Sequence, residues 1–223
     1  MKLLFIDTET TGLPISMKEP YTNIENWPAI LGIGWESIMT DKNLDMPGAS
    51  FEIQIIETKK KRFIIKVRDG VRNSDEEMKI NGITEEMQRE IGVTIDTMMY
   101  SLITAMKEAD YVIAHNAEFE KNVIYAEMKR NSYAVPEGIN WICTKELAGN
   151  ICEIPASERQ KKYRPDLEYK QPSLNEMYMK LFNREVPGRK LTHGASQDVE
   201  ACKQCFFELV NREVIKIDSL ITF

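Results

Sequence analysis

The sequence predicts an α/β domain built on one central mixed β-sheet flanked by helices. Apolar segments rich in strand-forming residues come first in the chain. Segments with the repeat of an amphipathic helix follow, and a short apolar segment stands between two of them. Strands that precede an alternation of strand and helix are typical of a sandwich of helices around a single mixed sheet.

Most of the predicted strands lie in the N-terminal third. Residues 2–8 alternate and are rich in strand formers, and residues 29–39 form a second apolar segment. Two further strands are predicted at about 51–56 and 63–67, joined by a basic turn at 59–62. The fifth predicted strand is the short apolar segment at 111–115.

Four helices are predicted in the remainder of the chain. Thr94 can cap a helix that ends near residue 109, with a buried stripe of Ile95, Met98, Met99, Leu102, Ile103 and Met106. The other three are predicted from about 117 to 129, from the capping residue Ser173 through 181, and from about 195 to beyond 210.

Length and composition exclude several classes of protein. The chain has 223 residues, which predicts a single domain over 1–223, and the polar segments at 14–27 and 153–172 are predicted loops rather than domain linkers. With 43% hydrophobic and 29% charged residues, it is neither a disordered chain nor a membrane protein. The net charge of −6 argues against bulk attraction to nucleic acid, but not against an enzyme that meets nucleic acid through bound metal ions.

The cysteines and the N-terminus predict a cytoplasmic protein. The apolar segment at 3–6 is too short for a secretory signal, because Asp7 interrupts it. Free thiols in a reducing compartment are therefore expected at Cys143, Cys152, Cys202 and Cys205. The CxxC spacing of the last two falls in a predicted helix, where buried core thiols are favoured over a zinc site.

The first of three acidic sites ends the first predicted strand. Asp7 and Glu9 are two residues apart, so on a strand they share a face with Leu3 and Phe5. Carboxylates at the end of an apolar face stay ionised only if a cation neutralises them. Such pairs also arise by chance in a chain with 35 acidic residues, so this pair alone is a weak signal.

The second acidic site begins a predicted helix. Asn116 is a favourable N-cap residue, and Glu120 starts a partly apolar stripe that continues with Ile124 and Met128. Glu118, in the same turn, lies on a different face of the helix. A first-turn glutamate more often only complements the helix dipole, and that alternative stays open here.

The third acidic site begins the last predicted helix. Asp198 falls on the inward stripe of that helix, with Cys202, Cys205, Phe206 and Leu209. An aspartate on an inward face requires a partner. His193 stands five residues before Asp198, and it is one of only two histidines in the chain. A single histidine is more often structural than catalytic.

Together, the three sites offer four carboxylates and one imidazole. Carboxylate oxygens are the ligands that Mg²⁺ and Mn²⁺ prefer. Two such ions, about 3.5–4 Å apart, can clamp a phosphodiester, activate the attacking water and stabilise the leaving oxygen. An imidazole, with an unperturbed pKa of about 6.5, suits removal of the proton from that water at neutral pH.

These segments resemble a known family. DTETTGLP at 7–14, HNAEFE at 115–120 and HGASQDVEA at 193–201 resemble, in this order, the three motifs of the DEDDh (DnaQ-like) 3′–5′ exonucleases. That family has a ribonuclease H-like fold. Less diagnostic segments at 79–84, 143–144, 172–182 and 205–209 also fit, so the resemblance covers nearly the whole chain.

The resemblance implies a role for each acidic residue. Asp7 would bridge two Mg²⁺ or Mn²⁺ ions, and Glu9 and Asp198 would bind the ion beside the nucleophilic water. His193 would be the general base. The fourth carboxylate is an aspartate in the family and falls here on Glu120, whose reach is longer by about 1.5 Å. Because Mg²⁺ requires near-ideal geometry, activity with Glu120 is expected to be intact, slow, Mn²⁺-dependent or absent.

The resemblance also implies that Thr10, Gly12 and Leu13 line the pocket for the terminal nucleotide and that Asn116 orders the second motif. From the residues alone, Gly12 permits close backbone approach. Leu13 is either an apolar surface for a base or sugar, or a packing residue. Basic clusters at 59–62 and 159–164 can follow a phosphate backbone, although solvated loop tips are the more common outcome.

The predicted function is that of a 3′–5′ exonuclease that acts on a free 3′ end and releases nucleoside 5′-monophosphates. Single-stranded DNA is the favoured substrate, and no membrane partner is expected. A role in DNA replication or repair, like that of the DNA polymerase III epsilon type, would require a polymerase in trans. The alternatives are an exoribonuclease of the same family, a non-catalytic nucleic-acid-binding or polymerase-associated module suggested by Glu120, and an interaction protein with an acidic surface.

Overall fold

The structure is a computed structural model that describes residues 1–41, 54–188 and 194–212. Its central sheet contains β1 (Lys2–Thr10), β2 (Ile30–Thr40), β3 (Ile55–Ile64), β4 (Tyr111–Ala114) and β5 (Trp141–Cys143), in the order β3-β2-β1-β4-β5. β1 and β3 pair antiparallel with β2, whereas β4 is parallel to both β1 and β5. The predicted α/β class with one mixed sheet is confirmed.

The helices of the described residues are α1 (Asp75–Asn81), α2 (Glu85–Glu90), α3 (Ile95–Glu108), α4 (Ala117–Arg130), α5 (Thr144–Leu147), α6 (Gly149–Cys152), α7 (Glu158–Tyr163), α8 (Leu174–Phe182) and α9 (Ala195–Asn211). A 3-10 helix spans Ile24–Asn26, and two short antiparallel strands, β6 (Ile154–Pro155) and β7 (Tyr169–Lys170), flank α7. The four predicted helices are confirmed as α3, α4, α8 and α9. Thr94 and Ser173 cap α3 and α8 with their hydroxyls, as expected.

The predicted basic turn at 59–62 is wrong. These residues lie in the middle of β3, which pairs continuously with β2 through this region. β3 is an edge strand whose residues 55–62 are exposed on both faces, so this part lacks the apolar alternation on which the strand prediction depends. The strand predicted at 51–56 falls partly on residues 51–53, which lie outside the described residues.

Apolar side chains pack against both faces of β1. Leu3 and Phe5 belong to a cluster with α8 and α9, and Leu4 and Ile6 belong to a second cluster with α3 and α4. Burial on both faces accounts for the uninterrupted apolar run of this strand. The face of Leu3 and Phe5 is the one that continues to Asp7 and Glu9, as the sequence predicts.

A buried ion network fastens α4 to the sheet. Glu127 is fully buried, and its carboxylate accepts hydrogen bonds from Arg68, from Arg130 (2.6 Å) and from the backbone N–H of Ile30 (3.1 Å). Arg68 also donates to the carbonyl of Ile30 at 2.6 Å. The network therefore fixes the C-terminal turn of α4 relative to the start of β2.

The four cysteines are thiols, and Cys152, Cys202 and Cys205 are buried. Burial raises the pKa of the thiols of both residues of the CxxC pair, which fits core packing rather than redox chemistry. Within the part of the chain that the structure describes, none of the helices has the length and apolar character needed to cross a membrane.

Candidate active site

The C-terminal ends of β1 and β4 and the N-termini of α4 and α9 meet at one edge of the sheet. Because β1 and β4 are parallel, with Phe5 opposite Ile113, both strands end on the same side. The chain leaves β4 through His115 and Asn116 directly into α4. Helix α9 packs against β1 and β2. We call this region the catalytic edge.

Gly34 allows α9 to approach the sheet closely. This residue lies opposite Asp7 in the pairing of β1 with β2. A Cβ atom added at Gly34 would lie 3.1 Å from the backbone carbonyl carbon of Ala195 and 3.1 Å from the nitrogen of Ser196. The first turn of α9, which contains Asp198, therefore rests on β2 beside Asp7.

The structure brings the four predicted carboxylates to the catalytic edge. Asp7 and Glu9 are partly buried at the end of β1, Glu120 is 4% exposed, and Asp198 is 9% exposed. The charges of Glu9 and Asp198 both act on Glu120. Residues from β1, α4 and α9, which are distant in the sequence, thus share one electrostatic environment.

Glu120 is a buried acid that forms no ion pair with any of the residues that the structure describes. Desolvation raises its pKa to about 8; the polar groups of Thr8 act in the opposite direction, and the charges of Glu9 and Asp198 raise it further. Oε2 of Glu120 has no hydrogen-bond partner within the described residues. An oxygen atom buried in this way among other carboxylates is one that a divalent cation would neutralise.

The donor set suits a hard divalent cation, since all four side chains offer carboxylate oxygens. Across residues 1–41, 54–188 and 194–212, no group of three or more Asp, Glu, His or Cys side chains already has the arrangement of a metal-binding cluster. Glu118, the alternative in the same turn of α4, is exposed and faces away from the four carboxylates.

The turn after β1 contains three residues predicted to bind substrate. The hydroxyl of Thr10 donates to the carbonyl of Gly12 at 2.7 Å, and Gly12 has a φ of +136°, which few other residues adopt. Leu13 follows with 85% of its surface exposed. The alternative that Leu13 is a packing residue is therefore wrong, and its side chain remains available to a ligand.

Asn116 occupies the N-cap position of α4, as predicted, but its side chain does not cap the helix. Its backbone has the left-handed conformation (φ 81°), whereas an N-cap residue requires an extended one, and its side chain makes no capping hydrogen bond. Instead, its side-chain oxygen accepts a hydrogen bond from Nζ of Lys145 at 3.4 Å. The predicted general base, His193, lies outside the described residues.

His115 begins the second motif, and the sequence alone predicts no role for it. Its Nε2–H donates to the carbonyl of Pro172 at 3.1 Å, and its Nδ1 lies 3.0 Å from the hydroxyl oxygen of Thr144. The ring therefore fastens two other chain segments to the end of β4. The sequence contains one indirect sign of this contact. Segments 143–144 and 172–182, which contain Thr144 and Pro172, are among the less diagnostic segments that resemble the exonuclease family.

The sequence matches the profile of the RNase_T family, described as exonuclease, over residues 4–206. This match includes all three acidic sites. Comparison with curated protein sequences gives no match.

Solved exonuclease structures share the fold. A zinc-bound complex of E. coli exonuclease I with single-stranded DNA superposes with a TM-score of 0.64 at 18% identity, covering 99% of this chain and 43% of that one. The nuclease domain of 3′hExo, a DEDDh family member bound to rAMP, superposes with a TM-score of 0.62 at 14% identity. The match covers 95% of this chain and 92% of that domain's chain. Exonuclease I from Methylocaldum szegediense superposes with a TM-score of 0.61 at 19% identity, and the match covers 98% of this chain and 42% of that one. The ribonuclease H-like fold is confirmed, and the chain spans less than half of each exonuclease I chain.

Proposed function

The chain belongs to the RNase_T exonuclease family, and on this premise we propose that it removes nucleotides from the 3′ end of a nucleic acid, with DNA preferred to RNA. The products are nucleoside 5′-monophosphates. The observation that carries the proposal is the convergence of Asp7, Glu9, Glu120 and Asp198 at one edge of the sheet. An interaction protein with a merely acidic surface has no need to bury two of these four carboxylates.

Asp7, Glu9, Glu120 and Asp198 are proposed to hold two divalent ions, Mg²⁺ or Mn²⁺. When bound, such ions activate a water molecule and stabilise the leaving oxygen of a phosphodiester. Neighbouring carboxylates repel one another until a cation is present, so we expect these side chains to draw together on metal binding. His193 is proposed to accept the proton of the attacking water, as the third motif implies.

The turn after β1 is proposed to hold the terminal nucleotide. Support comes from Thr10, which fixes the turn by its hydrogen bond to Gly12, and from Leu13, which is exposed in the turn that follows Glu9. An exposed leucine offers an apolar surface on which a base or sugar can pack. Asn116 orders the second motif through its contact with Lys145 rather than as a helix cap.

The test is digestion of a 5′-labelled single-stranded DNA oligonucleotide with Mg²⁺, with Mn²⁺ and with EDTA. We expect metal-dependent shortening from the 3′ end, abolished by Asp7→Ala and by Glu120→Ala. Glu118→Ala is the matched control, because Glu118 lies in the same turn of α4 but is exposed, and it should digest DNA like the unmodified protein.

Two further arms separate the alternatives. Digestion of the corresponding RNA in place of DNA would assign the protein to the exoribonucleases of the family. A different outcome is that the unmodified protein binds DNA and RNA and digests neither, while Glu120→Asp digests one of them. That result would show that the longer glutamate side chain has made the protein a catalytically weakened binding module. No digestion by either the unmodified protein or Glu120→Asp would refute the proposed activity.

The cellular context is also a proposal. The four thiols suit the reducing environment of the cytoplasm, and residues 1–223 are proposed to form one exonuclease domain. A role in DNA replication or repair would place a polymerase beside the protein as a separate chain. Co-purification with a polymerase from cells, at a stoichiometry that survives nuclease treatment, would support that role.

A further inference from the structure

Residues 153–172 form a projection between α6 and α8, which we call the α7 segment. The sequence predicts a loop here, but the segment contains α7 between the paired strands β6 and β7. Ser157 begins α7 with a capping box, in which its hydroxyl accepts from the N–H of Gln160 while its own N–H donates to the Gln160 side chain. The segment is therefore an ordered hairpin with a helix at its tip.

One face of α7 combines an aromatic ring with two cations. Arg159, Lys162 and Tyr163 are spaced i, i+3 and i+4, so they lie side by side on the helix, and all three are exposed. Tyr163 has 78% of its surface exposed. An aromatic ring between basic side chains is the combination that binds single-stranded nucleic acid without sequence preference.

The charge of this helix is opposite to that of the protein. Residues 158–164 contain four basic residues and one acidic residue, in a chain with a net charge of −6. Lys161 and Arg164 lie near Glu158 and Asp166, at 3.8 and 3.9 Å. Within the described residues, Arg159 and Lys162 form no ion pair, so both charges are available to a phosphate backbone.

The α7 segment is fastened to the catalytic edge at its C-terminal end. The carbonyl of Pro172, its last residue, accepts a hydrogen bond from Nε2 of His115 at 3.1 Å. On the other side of the same ring, Nδ1 lies 3.0 Å from the hydroxyl oxygen of Thr144 in α5. His115 directly precedes Asn116 and the first turn of α4, where Glu120 lies. One imidazole therefore ties the base of the projection to the second acidic motif.

We propose that the α7 segment binds the unpaired substrate strand behind its 3′ end. Tyr163 stacks on a base, and Arg159 and Lys162 contact the phosphates next to it. This inference rests on the proposed function for the position of the 3′ end at the catalytic edge. The acidic carboxylates cannot attract a polyanion by themselves, so a separate cationic surface near them supplies the electrostatic attraction.

The test measures binding of a fluorescently labelled 15-nucleotide DNA strand in EDTA, where no digestion occurs. Tyr163→Ala is expected to weaken binding about tenfold, and Tyr163→Phe, which keeps the ring, is expected to recover that loss. Arg159→Gln and Lys162→Gln should each lower the slope of log affinity against log salt by about 0.7. Circular dichroism of each variant checks that the exposed substitutions leave the fold intact.

Lys107→Gln is the matched control. Lys107 is exposed in the last turn of α3, beside Glu108, which pairs with Lys2 at the opposite end of β1 from the carboxylates. Removal of this cation should leave both affinity and salt slope unchanged. Equal affinities and slopes for the unmodified protein, Tyr163→Ala, Arg159→Gln and Lys162→Gln would overturn the proposal. A loss in Lys107→Gln equal to that of the α7 variants would overturn it as well, because the attraction would then be diffuse.

Kinetics separate this inference from the proposed function. For the unmodified protein we expect a lower KM for the 15-nucleotide strand than for a trinucleotide, and Tyr163→Ala should reduce that difference. Digestion without any effect of Tyr163→Ala on KM or affinity would refute the role of α7 and leave the exonuclease activity established. Absence of digestion, with binding still dependent on Tyr163, would refute the activity and retain the binding surface.

Discussion

At the scale of single residues, Glu120 is a carboxylate that the fold has removed from water. The resemblance of the second motif places it where the family has an aspartate, and its side chain is 4% exposed beside Thr8. Burial raises the pKa of this side chain to about 8, so a proton would compete with the proposed metal ion for it near neutral pH. Lower pH is therefore expected to weaken metal binding at this position.

We predict that Glu120 makes the metal-free protein less stable as the pH rises from about 4.5 to about 8. The folded pKa is about 8 and the ordinary value is 4.5, so in this range the folded state binds more protons than the unfolded state. The free energy of unfolding then falls with increasing pH. Glu120→Gln should remove this loss of stability. At pH 8 the free energy of unfolding of the variant should exceed that of the unmodified protein by about 1–3 kcal/mol.

The measurement is urea unfolding in EDTA at several pH values between 5 and 8. The quantity to compare is the difference in free energy of unfolding between Glu120→Gln and the unmodified protein at each pH, because the other carboxylates titrate in both proteins. The exposed neighbour provides the control: Glu118→Gln should follow the unmodified protein at every pH. A constant difference between Glu120→Gln and the unmodified protein over the whole range would contradict the prediction.

At the scale of elements, the position of α9 depends on the absence of a side chain in β2. Gly34 lies between Asp7 on β1 and Arg62 on β3, in the row of the sheet that the first turn of α9 crosses. Backbone atoms of Ala195 and Ser196 lie 3.1 Å from the position that a Cβ atom of residue 34 would take, closer than an ordinary van der Waals contact. The third acidic motif thus reaches the first one because a glycine leaves room for its helix.

Gly34→Ala is predicted to shift α9 by a few tenths of an ångström and to misplace Asp198. We expect the free energy of unfolding to fall by about 1–3 kcal/mol, as in other overpacked sites. The rate of DNA digestion should fall about tenfold or more, since small displacements of catalytic groups are costly. Unfolding in denaturant and digestion rates on the same preparation check both effects.

Gly149→Ala serves as the control for this glycine substitution. An added Cβ atom at Gly149, in the first turn of α6, meets no other atom within 4 Å. This variant should be neutral or slightly more stable, because alanine restricts the unfolded chain. If Gly34→Ala matched Gly149→Ala in stability and rate, the close approach of α9 would not determine the site.

At the scale of the whole molecule, Glu127 connects three parts of the chain that belong to different secondary-structure elements. Its carboxylate joins α4, the start of β2 and the loop after β3 through Arg130, Ile30 and Arg68. This is the face of the sheet opposite α9. The two halves of the site, α4 and α9, are therefore held to the sheet by different means: an ion network on one face and close backbone contact on the other.

We predict that Glu127→Gln lowers the free energy of unfolding by about 3 kcal/mol. The substitution leaves two guanidinium groups beside a buried neutral amide, and loss of one partner from a buried pair is strongly destabilising. Glu85→Gln is the comparison, because it removes the partner of Arg89 in an exposed pair on α2. That change should cost no more than about 0.5 kcal/mol. Similar costs for both substitutions, measured by thermal or urea unfolding, would contradict the prediction.

Local sequence features were sufficient to predict most of the long helices and strands, but not the short ones. The caps Thr94 and Ser173 and the helical repeats that follow them predict α3 and α8 correctly. β5 has three residues, and α1, α2, α5, α6 and α7 have seven or fewer, too few to establish a period. β3 failed for another reason: an edge strand exposed on both faces carries no apolar alternation.

The sequence by itself determined that Asp7 and Glu9 share the face of Leu3 and Phe5, and that Asp198 lies on the inward stripe of its helix. Both follow from the local periods of strand and helix, which any short segment contains. Only the tertiary structure decided that Glu120 is buried with the charges of Glu9 and Asp198, that α9 rests on Gly34, and that His115 fastens the α7 segment. These contacts join residues far apart in the chain, and the packing that creates them depends on the volumes and burial of the whole molecule rather than on neighbouring residues.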